Sequence, residues 1–483
     1  MIVDARGVAA AAPERLTGLL AIARDGDPAR GADGDLPLLL AAGPACEAIL
    51  RFVGTGGLGA LMATRRALAR DVRELAAGIA WREGERVSAD GKAEARVPPA
   101  RVGEWAARFP EARALAVSAR GMAPALAVGA ATVTGGLRRL ETLRLRVCEI
   151  GGGGAVALAA ALASTSRLVT LDLRFNNIGP AGVAALAEVL PAACPLLAAL
   201  DVSGNGIGAA GMASLAPALT ACAHLSSLGL GYNSLDGVGA AALAEALPAC
   251  AQLSALDVSS NSLGNAGAIS LSEALPACSQ LASLSLRDNF FGVEGATALA
   301  RALRSCPRLA SLDIGWCRLG AAGVAALALA IPSCPRLTAL NVYGDMLGDA
   351  GAAALAAALP ACAQLSSLSV GGNDIGDAGA AALARVLPAC ARLATLDMGH
   401  NDVGAEGAAA LAAALRECAK LSSLTLWSNH VGDAGAAALA KALPTCAVLA
   451  SLNVSANVGV GDEGRAVLRS AAAAVGPRLT LVV

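Results

Sequence analysis

The sequence predicts an α/β solenoid, with short parallel strands along its inner side, helices along its outer side and a small helical cap before the first coil. Three observations predict it. A leucine recurs at Leu140, Leu168, Leu197, Leu225, Leu253, Leu281, Leu309, Leu337, Leu365, Leu393, Leu421 and Leu449, at a constant interval of 28 that is broken once by 29. Each copy holds a short L-x-L alternation. Each then carries a glycine with a leucine four places beyond it, from Gly154 and Leu158 to Gly464 and Leu468. Self-similarity at one fixed period marks units that stack side by side.

One copy serves for all. It begins Leu168-x-x-Leu171-x-Leu173-x-x-Asn176-x-Ile178-Gly179. The alternation predicts a strand with Leu171 and Leu173 on one side and Asp172 on the other. Leu186 and Leu190, four apart, predict one apolar helical stripe. Neither element can bury its apolar side alone, so the units must stack in parallel. Helices are wider than strands, so the stack should curve with its strands inside; twelve strands would line an inner arc of about 55 Å. A degenerate earlier copy is read at Leu115 and Val117, one period before Leu143 and Leu145, and Leu479-Thr480-Leu481 reads as a closing strand. Residues 112–483 are therefore expected to hold about 13 repeats.

This pattern resembles the leucine-rich repeats of the ribonuclease-inhibitor type, over roughly residues 112 to 483. The resemblance implies a horseshoe that offers its concave side to a partner protein.

Two further columns are read as structural. Asn176, Asn205, Asn233, Asn261, Asn289, Asn373, Asn401, Asn429 and Asn457 keep one position, with Cys148, Cys317 and Asp345 substituting. A buried amide there can satisfy backbone groups where the strand turns away. Ten of the thirteen cysteines, from Cys194 to Cys446, stand three places before a copy's first leucine. Thiols in such a column behave as small core hydrophobes. The sequence shows no secretory signal at its start, so these cysteines are expected to be reduced.

Composition narrows the function. The chain has 483 residues, is 55% hydrophobic and only 2% aromatic, and carries a net charge of -1. A nucleic-acid binder would show a basic domain. Val202 to Leu235 lacks charge over a long stretch, but its asparagines and glycines fall at the repeat spacing, so no membrane span is expected.

The expected binding side is the solvent side of the strands. The residue inside L-x-L is an aspartate at Asp172, Asp201, Asp257, Asp313 and Asp397, an acidic stripe that also holds Arg144. The two residues after L-x-L supply Phe175, Tyr232, Trp316, Tyr343 and Trp427, together with His400. Exposed rings gain nothing structurally, and Trp, Tyr and Arg are typical interface anchors. Residues 140–456 carry 15 Lys and Arg against 21 Asp and Glu, which favours a partner with a basic patch.

The period is absent before residue 112. Residues 1–35 read as a flexible tail. Residues 36–111 have two readings. One is a helical cap over the first coil's apolar edge. The other is an F-box-like region over 40–84, resembling an F-box through Pro44, Ile49, Leu50, Val53, Leu58, Leu61 and Leu68 up to Trp81. That resemblance implies a substrate receptor of a cullin-type ubiquitin ligase, with the ligase adaptor docking on the N-terminal region. Gly54-x-Gly56-x-x-Gly59 matches a dinucleotide fingerprint without the strands a dinucleotide fold needs.

Catalysis finds little support. The histidines His224, His400 and His430 stand beside no recognisable nucleophile motif, and no catalytic residue, metal or cofactor is assigned. The expected function is a non-enzymatic protein–protein interaction scaffold, cytoplasmic or nuclear. The ligase receptor is one alternative. The other is GTPase activation of the Ran type, which related repeats perform but with an acidic tail where this chain ends Leu481-Val482-Val483.

Overall fold

The computed structural model describes residues 113–118, 140–163 and 165–483; the expected tail, cap or F-box-like region and G-x-G-x-x-G stretch lie outside them. The chain divides into two compact units: Met1–Asn176 with Ala192–Leu196, and Asn177–Pro191 with Leu197–Val483. The first unit holds strands β1 (Ala114–Ser118), β2 (Thr142–Arg146) and β3 (Thr170–Asp172). They pair in parallel with the repeat in phase, so Leu115 lies opposite Leu143, and Leu143 opposite Leu171.

The second unit holds eleven strands among its described residues. They are β4 (Ala199–Asp201), β5 (Ser227–Gly229), β6 (Ala255–Asp257), β7 (Ser283–Ser285), β8 (Ser311–Asp313), β9 (Ala339–Asn341), β10 (Ser367–Ser369), β11 (Thr395–Asp397), β12 (Ser423–Thr425), β13 (Ser451–Asn453) and β14 (Thr480–Val482). Each pairs in parallel with the next, without a register slip, which makes this unit an open α/β solenoid. Leu228, Leu256, Leu284 and Leu312 stack in one line, all buried, while the residues flanking them on the strand, buried Gly229 excepted, are at least partly exposed. Alternation of side chains along a strand produces this split.

Between consecutive strands of this unit runs a helix, such as Gly264–Ala274 or Ala405–Leu415. Many of these helices end at a Leu-Pro-Ala-Cys run. Proline cannot continue the α ladder, so Leu247–Ala249 and its counterparts tighten into a 3-10 turn and deliver the cysteine to the core. The glycine column sets how closely helices approach. A Cβ at Gly267 would lie 2.9 Å from the Ala240 Cβ and 2.8 Å from the Leu263 Cβ. Buried alanines such as Ala240, Ala268 and Ala352 have the same cause, since only small side chains fit between stacked helices.

The asparagine column is a ladder. Asn233 Oδ1 accepts from the Asn205 N–H at 2.9 Å, and its Nδ2 donates to Leu230 O at 2.9 Å and to Val202 O, one coil back, at 3.1 Å. Each amide thus satisfies buried backbone in two coils, where an unpaired group would cost about 1–3 kcal/mol. Cys317 keeps part of this role: its thiol donates to Leu286 O, one coil back, at 3.2 Å.

Candidate partner-binding face

The chain leaves each strand through two residues, and the second of them bends it. That residue has a left-handed backbone at Phe175, Tyr232, Trp316 and His400, with φ from 55° to 59° for three of them and 61° for Trp316. Glycine holds the same place at Gly204, Gly344 and Gly372. A side chain in this conformation costs about 1–2 kcal/mol. Phe175, Tyr232 and Trp316 remain 44–57% exposed. Ser260, Asp288, Ser428 and Ala456 are left-handed at the same place, so the bend belongs to the repeat and the exposed rings to particular coils. The sequence marked these rings; it did not show that their backbone is strained.

Two ring pairs form on this face. Trp316 and Tyr343 lie with centroids 5.6 Å apart, tilted by 37°. His400 and Trp427 lie 5.5 Å apart, stacked within 18°. Both pairs belong to the second unit. Each comes from consecutive coils and from the two different exit positions, which is why spacing alone did not pair them. His400 Nδ1 also sits 3.1 Å from Ser428 Oγ. Phe290 faces Arg318 instead, 4.8 Å from ring centroid to guanidinium carbon.

The aspartates fall into two kinds. Asp172, in the first unit, is buried and gripped by Arg146 at 2.6 Å and Arg174 at 2.9 Å. Burial alone would raise its pKa, but the two guanidiniums prevail and hold it below the ordinary carboxylate value. Asp172 is therefore a neutralised site, unlike the open acidic position the alternation suggested. The others cap their own strand ends and stay part-exposed. Asp201 Oδ1 accepts from the Ser203 N–H, Asp257 Oδ1 from the Ser259 N–H, Asp313 Oδ1 from the Gly315 N–H and Asp397 Oδ1 from the Gly399 N–H, at 2.9–3.1 Å. These carboxylates are held in fixed orientations by backbone donors two places on.

Among the described residues, no three His, Cys, Asp or Glu side chains are grouped to hold a metal ion, and no helix is long and apolar enough to cross a membrane.

The family model of the leucine-rich repeat matches nine stretches of the sequence: 137–159, 167–187, 193–216, 221–244, 249–272, 305–328, 361–384, 390–412 and 417–440. The chain is a leucine-rich-repeat protein. Repeats outside those stretches, beginning at Leu281, Leu337 and Leu449, pair in the same register as the matched ones. No curated protein matches the chain. Among solved structures, an internalin from Listeria monocytogenes aligns over 73% of this chain and 82% of its own, with 17% identity and a TM-score of 0.41.

Proposed function

We propose that the protein is a non-enzymatic interaction scaffold that binds a partner protein on the strand face of its repeats. The observation that carries this reading is the exposed ring held in a left-handed backbone, seen at Phe175, Tyr232 and Trp316. About half of each of these large residues is left to solvent, and aromatic side chains exposed in this way are typical interface anchors. The binding residues are Asp172, Phe175, Asp201, Tyr232, Asp257, Asp313, Trp316, Tyr343, Asp397, His400 and Trp427, with Asp172 acting through its arginine pair. Acidic carboxylates beside the rings suit a partner with a basic patch. Buried thiols along the cysteine column suit a reducing compartment, cytoplasm or nucleus.

The His400–Ser428 contact is read as a surface hydrogen bond. Among the described residues no carboxylate orients the imidazole's other nitrogen, which a nucleophilic serine's base requires.

Capture from cell extract with the full chain, followed by rebinding to variants, tests the reading. Trp316→Ala with Tyr343→Ala should weaken capture at least tenfold while Tm shifts by only a few degrees, since neither ring belongs to the buried leucine core. Undiminished capture would refute the strand face as the binding side.

A further inference from the structure

Three rings of the second unit, Trp316, Tyr343 and Trp427, recline on glycine. A Cβ at Gly344 would sit 2.8 Å from Trp316 Cδ2; one at Gly371 would sit 2.5 Å from Tyr343 Cε2, and one at Gly372 2.9 Å from its Cε1. Trp427 covers Gly399 in the same way, more closely still. Each ring turns one side to bare backbone of a neighbouring coil. The two pairs with the glycines between them make a shelf from β8 to β12, four strand spacings or roughly 19 Å across.

Carboxylates flank the shelf and are already oriented. Asp313 Oδ1 accepts from Asn341 Nδ2 at 3.0 Å, and Asp397 Oδ2 accepts from Ser369 Oγ at 3.2 Å. Together with the backbone bonds above, each is held from two directions and keeps lone pairs for a further donor. Burial and the nearby Asp397 raise the Tyr343 pKa, with Arg287 opposing, so carboxylate and ring are within electrostatic reach.

We propose that this shelf receives an extended, arginine-bearing segment of the partner protein, a deepening that rests on the strand-face reading above. A guanidinium is planar, stacks on aromatic faces and binds carboxylates bidentately; no other side chain does all three. The shelf offers rings and fixed carboxylates together, on repeats whose charge is net acidic. The chain uses both contacts internally, in Arg318 over Phe290 and in Arg146 and Arg174 on Asp172. Lysine would satisfy the charge but not the planar stacking. A shelf this wide accommodates about six extended residues.

The test is selection of a displayed random octapeptide library on the full chain, repeated on Asp313→Asn/Asp397→Asn and on Trp316→Ala/Trp427→Ala. Arginine is expected at a fixed position of the enriched peptides. Citrulline in its place should weaken binding at least tenfold, and both variants should lose the arginine preference while circular dichroism and Tm remain those of the parent. Peptides without arginine, no enriched peptide, or an arginine preference unchanged in the variants would each overturn the proposal. Peptides that lack arginine yet depend on Trp316 and Trp427 would overturn it while leaving the strand face as the binding side. Peptides indifferent to both variants would remove the strand face as well.

Discussion

Asp345 stands where nine other coils have asparagine, and one atom makes it different. Its Oδ1 accepts from the Cys317 N–H at 2.7 Å, as an asparagine oxygen would, but its buried Oδ2 has no hydrogen-bond partner. In the asparagine coils the atom at this place is an amide nitrogen that donates to carbonyls, as Asn233 Nδ2 does to Leu230 O and Val202 O; a carboxylate oxygen has no proton to donate. The carboxyl is therefore stable when it keeps its proton, and burial pushes its pKa from 3.8 to about 7. Asp345 supports the fold fully below pH 3.8, and that support is lost as pH rises through about 7, by roughly 4 kcal/mol. Asp345→Asn should therefore raise Tm at pH 8 and lose most of that gain at pH 4.5. Thermal unfolding of the two proteins across this range checks it, and an equal gain at both pH values would contradict it. The sequence showed the substitution at once. It did not show the proton, because one partner carbonyl belongs to the same coil and the other to the coil before, and they meet only in the stack.

At the scale of elements, coils are joined by caps that cross between them. Asp349 Oδ1 accepts from the Gly376 and Gly379 N–H groups at 2.8 Å, and Asp377 Oδ1 from those of Gly404 and Gly407 at 2.7 Å. Each aspartate caps the helix of the next coil, whose own N-cap is a glycine without a side chain. Asp377→Ala should cost about 1 kcal/mol, the usual worth of a lost N-cap, with local opening in the 405–415 helix by hydrogen exchange. No rise in exchange there would contradict the cap. These bonds were invisible in the sequence, where Asp377 reads as an ordinary first-turn acid. The cysteine column was legible, since its spacing alone put ten thiols in one buried line. Burial drives the thiols of Cys278, Cys306 and Cys418 up to about 11, and Cys334 to about 12. Among the described residues, the thiols of folded protein at pH 8 should label slowly, with the part-exposed Cys362 and Cys390 reacting first. Rapid uniform labelling would mean that the column is open.

At the scale of the molecule, the period carried the architecture and the rings carry the proposed function. A spacing of 28 kept through a dozen copies leaves one arrangement that buries the leucines of the repeating columns, so strand order and register were readable before any coordinates. The candidate face was readable only in part. Trp316, Tyr343, His400 and Trp427 could be named from two columns. Their pairing, the glycines beneath them and the neutralised Asp172 depend on side-chain directions that no column encodes. On the proposed reading the strand face, and not the helical side, meets the partner. Hydroxyl-radical footprinting of the full chain, alone and with its captured partner, tests this most directly. Protection is expected at Trp316, Tyr343 and Trp427, with exposed Val238 and Leu329 on the helical side unchanged. Protection of Val238 and Leu329 with the three rings still reactive would contradict it.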